Sequence, residues 1–231
     1  MPEIRLTAED IFRQASAVGF DDCGIAKPQR FVEDAQFMDA WVAQGLHGEM
    51  DYLERNCDKR YDIRRLVPGA KTVVVCLLRY DRCGHDYHRT IKSKLYELEA
   101  NLGITPLPTQ HIFCDSAPVL ERRYAVTACL GFIGKNHQFI SPKFGSKVHI
   151  GELVLGQMVK MPPSDAGKQT EENECIRTWQ EQCQLVCGSC TKCIDACVRG
   201  ALGRSEWDVR RCLAYETHKC TVCQDVCPFN Q

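Results

Sequence analysis

Residues 187–197 read CGSCTKCIDAC and residues 220–228 read CTVCQDVCP, with Cys212 standing alone between the two runs. As spacings these are Cys187-x2-Cys190-x2-Cys193-x3-Cys197 and Cys220-x2-Cys223-x3-Cys227-Pro228. Three thiolates on one tight turn can grip three irons of a four-iron cube, and the fourth, three residues on, serves a neighbouring cluster. The eight thiolates, all within the last 45 residues, match two [4Fe-4S] clusters. A structural zinc site uses paired Cys-x2-Cys knuckles, and a triple with a trailing fourth is more than one zinc needs. Disulfides fit less well, because Met1–Asp10 is polar and lacks the apolar core of an export signal. Sixteen cysteines without such a signal indicate a reducing, cytoplasmic setting in which thiols hold metals. The tail reads as that of a one-electron redox protein.

The 231 residues leave room for one medium domain and a small one. With a net charge of −1 there is no electrostatic case for nucleic acid or an anionic membrane surface. No apolar stretch approaches the roughly 18 residues needed to span a bilayer, so a soluble chain, expected to be a monomer with no membrane partner, is predicted. Six cysteines precede residue 175 (Cys23, Cys57, Cys76, Cys83, Cys114 and Cys129) without metal-type spacing, and they read mostly as small buried hydrophobes. The polar stretch Met161–Glu174 reads as a linker or surface loop. Cys175 and Cys183 fall outside the cluster runs.

Upstream, helix and strand signals alternate. Thr7 is placed to cap a helix running to about Val18, and a second helix fits Phe31–Gln44 before Gly45. Lys71–Leu78 (KTVVVCLL) is a β-branched run typical of a buried strand. Tyr87–Leu102 carries Ile91, Leu95, Leu98 and Leu102 at helical spacing. Gln110–Cys114 is a short strand, Pro118 suits the first turn of a helix reaching about Cys129, and His149–Leu155 is a last strand. The alternation predicts a layered α/β (α+β) domain. No repeats are apparent, and neither a Gly-x-Gly-x-x-Gly turn nor a P-loop is present to bind a dinucleotide or ATP.

Cys114–Glu121 (CDSAPVLE) sets an acid at the end of a strand, where α/β ligand sites collect. Asp115 there is either a proton donor or, with Ser116, a helix cap. Leu130–Asn136 (LGFIGKN) offers a turn whose backbone, with Lys135 and Asn136, can approach an anionic or amide-rich ligand, or else a helix end followed by a loop. Gly48–Leu53 with Arg60, Arg64 and Arg65 reads equally as a solvated helix end, and Asp86-Tyr87-His88 as a capping turn.

In sequence order, HGEMDYL, PGAKTVV, DYH, DSAPVLE, GFIGKN, CGSCTKCIDAC, RC-x-x-Y and CTVCQDVCPFN resemble the epoxyqueuosine reductase family over roughly residues 45–231. The resemblance implies a cobalamin-dependent reductase with two four-iron clusters, related in core fold to reductive dehalogenases. A nitroreductase-like corrinoid-binding catalytic domain is implied for residues 1–165 and a ferredoxin-like two-cluster module for residues 166–231. By position, Asp115 is the implied proton donor beside the corrinoid, and Arg60, Tyr87, Phe139 and Ile150 fall near cobalamin-contacting positions; Lys135 and Asn136 are taken with them. The family's ligand pattern assigns Cys187, Cys190, Cys193 and Cys227 to one cluster and Cys197, Cys212, Cys220 and Cys223 to the other. Low-potential clusters can reduce cobalt by single electrons, so an external low-potential donor is also implied. No Asp-x-His-x-x-Gly arrangement supplies a lower ligand, and His85 and His88 read as loop residues.

Three features depart from the family pattern. Relatives continue into a helical-repeat domain that helps to hold tRNA, whereas this sequence ends four residues after Cys227. The spacer from Cys212 to Cys220 is a short seven residues, and Val198 stands where the pattern has proline. Both tRNA and a smaller substrate are therefore candidates. The competing readings are an electron-transfer protein reducing a partner-bound corrinoid or flavin, a reductive-dehalogenase-like enzyme, and a zinc-stabilised interaction module.

Overall fold

The computed structural model describes residues 6–83, 85–160, 183–203, 206–217 and 219–230. The Met161–Glu174 linker, Cys175 and the expected boundary at residues 165–166 lie outside the described residues.

The first region is built on a four-stranded antiparallel sheet. Its strands are β1 (Asp22–Ala26), β2 (Thr72–Arg79), β3 (Ile112–Phe113) and, last in the chain, β6 (Val148–Leu155), in the order β1-β2-β6-β3. A hairpin of β4 (Phe132–Ile133) and β5 (Phe139–Ile140) stands beside it. Strand β2 is buried on both faces because its side chains alternate between two cores. Val73, Val75 and Leu77 join Ile150, Val154, Phe113 and helix α6 (Glu121–Thr127) on one side. Val74, Cys76 and Leu78 meet helices α1 (Ala8–Ala17) and α5 (Tyr87–Leu102) on the other. The β-branched run announces this position: only a central strand covered on both faces can hide every side chain.

Helix α1 begins with a reciprocal capping box between Thr7 and Asp10. Helix α5 has Asp86 as its N-cap, the side chain accepting the Arg89 N–H, and buries Ile91, Leu95 and Leu98 completely, each contributing roughly 2 kcal/mol. Helix α2 (Val32–Ala43) and the short helices α3 (Cys57–Tyr61) and α4 (Ile63–Leu66) close the remaining side.

Three expectations need correction. The helix after Pro118 starts only at Glu121, because residues 115–120 form an arch with Asp115 in the left-handed region at φ 49°. It ends at Thr127, and Cys129 is exposed rather than buried. The two alike cysteine runs also build alike: Thr191 and Thr221 each precede a short helix (Lys192–Asp195 and Val222–Asp225) with cap dihedrals of −123°/6° and −120°/7°. Each threonine hydroxyl donates to the aspartate four residues on, at 2.6 and 2.7 Å. The shared Cys-Thr-x-Cys-x-Asp-x-Cys pattern of residues 190–197 and 220–227 builds the same turn twice.

Candidate redox site

The cysteine module docks on the first region through aromatic and amide contacts. Trp41, Leu46 and Val209 are buried together, with Trp207 and Tyr215 packed against them, and the Trp41 indole donates to the Trp207 carbonyl at 2.6 Å. At the other end, Asn230 is clamped: it accepts the Ser146 N–H at 2.6 Å and donates to the Gln224 carbonyl at 2.6 Å. Gly145, at φ 68°, lies under this contact, where a Cβ would collide with the Asn230 side chain and the Phe229 carbonyl. Glycine is therefore required for both its conformation and its lack of bulk.

The tail thiols crowd Cys193 and Cys223. Burial pushes the Cys193 thiol up to about 11, and Cys187, Cys227 and Cys190 push it the same way. Burial likewise takes Cys223 to about 11, helped by Cys193, Cys212, Cys220 and Cys197. A cavity of about 210 Å³ is lined by Cys187, Cys190, Cys193 and Cys227 together with Lys135 and Phe229. The Ala201 N–H donates to the Cys197 sulfur at 3.2 Å. Among the described residues no three His, Cys, Asp or Glu side chains converge as ligands of a single ion would.

Lys135 and Asn136 reach this module. The Lys135 ammonium donates to the carbonyls of Gly188 (2.6 Å) and Cys190 (2.9 Å), and the Asn136 amide donates to Cys223 O at 3.4 Å. The two residues thus tie one loop of the first region to both cysteine turns. The glycines of the same motif serve packing: at Gly131 a Cβ would strike the Ile140 carbonyl across the β4–β5 hairpin.

Asp115 stands exposed at the end of β3. It does not cap α6, whose N-cap, Leu120, makes no side-chain capping bond. The Tyr87 hydroxyl donates to the Asp115 carboxylate at 2.8 Å, and the Asp115 N–H donates to the Glu121 carboxyl at 2.5 Å. Burial and the Asp115 contact keep the Tyr87 proton on the phenol. Tyr87 stacks on His149 with ring centroids 3.9 Å apart, and the Tyr80 ring lies 4.3 Å from His149. Burial holds His149 neutral down to about pH 4; the Asp115 charge opposes this shift and His88 adds to it. Tyr52 and Tyr80, 56% and 42% exposed, both feel the Asp115 charge and the Arg122 guanidinium. Tyr52 also neighbours Tyr215 and Tyr80 neighbours Gln224, so the Asp115 face borders the cysteine module.

No protein-family model matches the chain. Among curated proteins it is 34% identical to an epoxyqueuosine reductase from Leadbetterella byssophila, covering 96% of this chain and 80% of that protein. It is 32% identical to one from Cyclobacterium marinum, covering 100% and 81%. The chain belongs to the epoxyqueuosine reductase family. The family structure from Streptococcus thermophilus matches with a TM-score of 0.78 at 21% identity, covering 96% of this chain and 65% of that one. An epoxyqueuosine reductase crystallised with an epoxyqueuosine-modified tRNA stem loop matches with a TM-score of 0.74 at 24% identity. The mixed α/β fold is therefore that of the epoxyqueuosine reductases, and the chain spans about 65% of the solved chains. Membership makes it an oxidoreductase of a family that uses iron–sulfur clusters and cobalamin.

The other residues singled out for cobalamin lie deeper. Arg60 is buried, and its guanidinium donates to the carbonyls of Leu53 (2.7 Å), Tyr52 (2.9 Å) and Arg55 (3.1 Å), which shapes the turn carrying Tyr52. Phe139 and Ile150 belong to the core on the α6 side of the sheet. Tyr87 and Asp115 face outward with Tyr52 and Tyr80. The exposed rings of Tyr52 and Tyr80 and the half-buried ring of Tyr87 flank the Asp115 carboxylate, an arrangement with room for a large planar ligand. Sequence reading missed Glu121, Glu152, Tyr52 and Tyr80. Glu121 was visible as part of DSAPVLE, but nothing local marked its partner.

Proposed function

We propose that the chain reduces epoxyqueuosine to queuosine in tRNA, with Asp115 as the proton donor. The observation that carries this reading is Asp115 itself, exposed, gripped by Tyr87, and facing the border with the cysteine module. Cys187, Cys190, Cys193 and Cys227 would hold one [4Fe-4S] cluster, and Cys197, Cys212, Cys220 and Cys223 would hold the other. Residues 1–165 act as the catalytic domain and 166–231 as the cluster module. Removing the epoxide oxygen as water requires two electrons and two protons. The electrons would come from an external low-potential donor, and clusters held by the tail cysteines would supply one-electron chemistry. Cobalamin, when bound, would supply the redox chemistry for breaking the carbon–oxygen bond. Asp115 delivers one proton to the departing oxygen, solvent supplies the second, and Tyr87 keeps the Asp115 carboxyl aimed. Tyr52 and Tyr80 offer apolar ring faces to the corrinoid, and Arg60 and the core residues Phe139 and Ile150 support them from behind. Lys135 and Asn136 act through the cluster turns. The reading places the protein in the cytoplasm, with tRNA, as a monomer.

The test is anaerobic turnover of epoxyqueuosine-containing tRNA by protein loaded with clusters and cobalamin, with nucleosides quantified by mass spectrometry. Wild type should form queuosine, and Asp115→Asn should form almost none while keeping its iron and corrinoid spectra. No queuosine from fully loaded wild type refutes the substrate assignment.

A further inference from the structure

Asp115 occupies a backbone conformation that costs a non-glycine residue roughly 1–2 kcal/mol, so something must hold it there. Its side chain is held by Tyr87 and its main chain by Glu121, six residues on. Glu121 opens α6, where an acid ordinarily faces its own helix's free N–H groups. Here it turns back and accepts the Asp115 N–H at 2.5 Å. Behind it lies Glu152, fully buried on β6 opposite Phe113.

We propose that Glu121 is the positioning residue of the Asp115 loop: its carboxyl latches the Asp115 main chain so that the proton donor faces the reacting atoms. This deepens the reading of Asp115 given above and rests on it for its catalytic meaning. The latch works whether Glu121 is neutral or ionised, since a carboxyl oxygen accepts in both states, and it is stronger when ionised. Burial raises Glu121 to about 8, the Asp115 N–H and the charges of Arg122 and Lys92 oppose this, and the Asp115 charge adds to it. Glu152, Tyr87 and Cys114 are the other titratable groups around it.

Hydrogen exchange of the full-length, cluster-loaded protein reads the latch directly at the Asp115 amide, without turnover. In Glu121→Ala that amide should exchange about tenfold faster than in wild type, while the Tyr124–Val126 amides of α6 stay protected. In Glu121→Gln, which keeps one acceptor oxygen, exchange should remain within about threefold of wild type. Turnover should follow the same order, with kcat falling and KM unchanged in the alanine variant and recovering in the glutamine variant. Equal Asp115 exchange in wild type and Glu121→Ala overturns the latch, as does a glutamine variant that behaves like alanine. If wild type fails to convert epoxyqueuosine while the exchange pattern holds, the substrate assignment falls and the latch stands.

Discussion

Glu152→Gln should make the protein more resistant to unfolding at neutral pH, increasingly so as pH rises. Glu152 is 0% exposed, and among the described residues neither carboxyl oxygen has a hydrogen-bond partner. Burial first, then the charges of Glu121 and Asp115, raise it well above the ordinary carboxylate range. An unfolded glutamate ionises near pH 4.3, so above that pH the unfolded chain gains a freedom that the folded chain lacks. A folded-state pKa above the unfolded one gives stability that is full at low pH and is lost as pH rises. Each unit costs wild type about 1.4 kcal/mol while Glu152 keeps its proton. Glutamine has no such dependence. The stability gap between variant and wild type should therefore widen by about 2.7 kcal/mol between pH 5 and pH 7, or about 5–10 °C in Tm for a chain of this size. The buried amide of glutamine can cost roughly 1–3 kcal/mol, but that offset is the same at both pH values. Anaerobic thermal unfolding at a fixed scan rate, on both proteins at both pH values, measures the change in the gap. A gap that stays constant from pH 5 to pH 7 refutes the neutral, buried Glu152.

Three other perturbations test separate parts of the site. Lys135→Ala removes both donors to the Gly188 and Cys190 carbonyls; iron per chain should fall from about eight toward four, with the loss at the Cys187 group, as iron analysis and spectroscopy can show. Gly145→Ala forces a Cβ into Asn230 and Phe229 at a positive φ and should lower Tm by several degrees, about 1–3 kcal/mol of overpacking. The milder Asn230→Ala should cost less. His149 is held down to about 4 by burial, against the Asp115 charge and with help from His88. Its depressed folded pKa means that stability is lost as pH falls from 6.5 toward 4, so His149→Phe should flatten that acid limb in a pH series of melting curves.

By itself the sequence determined the elements whose signals are local. The eight cysteines name their chemistry through spacing, because one turn must present several thiolates to one cube. Helix α5 and strand β2 were legible because their apolar periods record what each buries. Strand β1, with its sequence DCGIA, carried no such signal; it is a strand because Cys23 pairs with Cys76 and Ile25 with Val74 across the sheet. The site divides the same way. Asp115 could be picked out, but only the fold shows that it leaves the α6 N-terminus uncapped and takes a hydrogen bond from Tyr87, 28 residues away. Lys135 reads as a ligand-binding lysine in its motif and is found tying down Gly188, 53 residues on. Glu152 reads as one polar residue in an apolar strand, and only the layer of α6 above it shuts out water and raises its pKa. Tertiary structure alone decided these matters, because hydrogen-bond pairing and desolvation depend on which distant segments meet, and local spacing does not record those meetings.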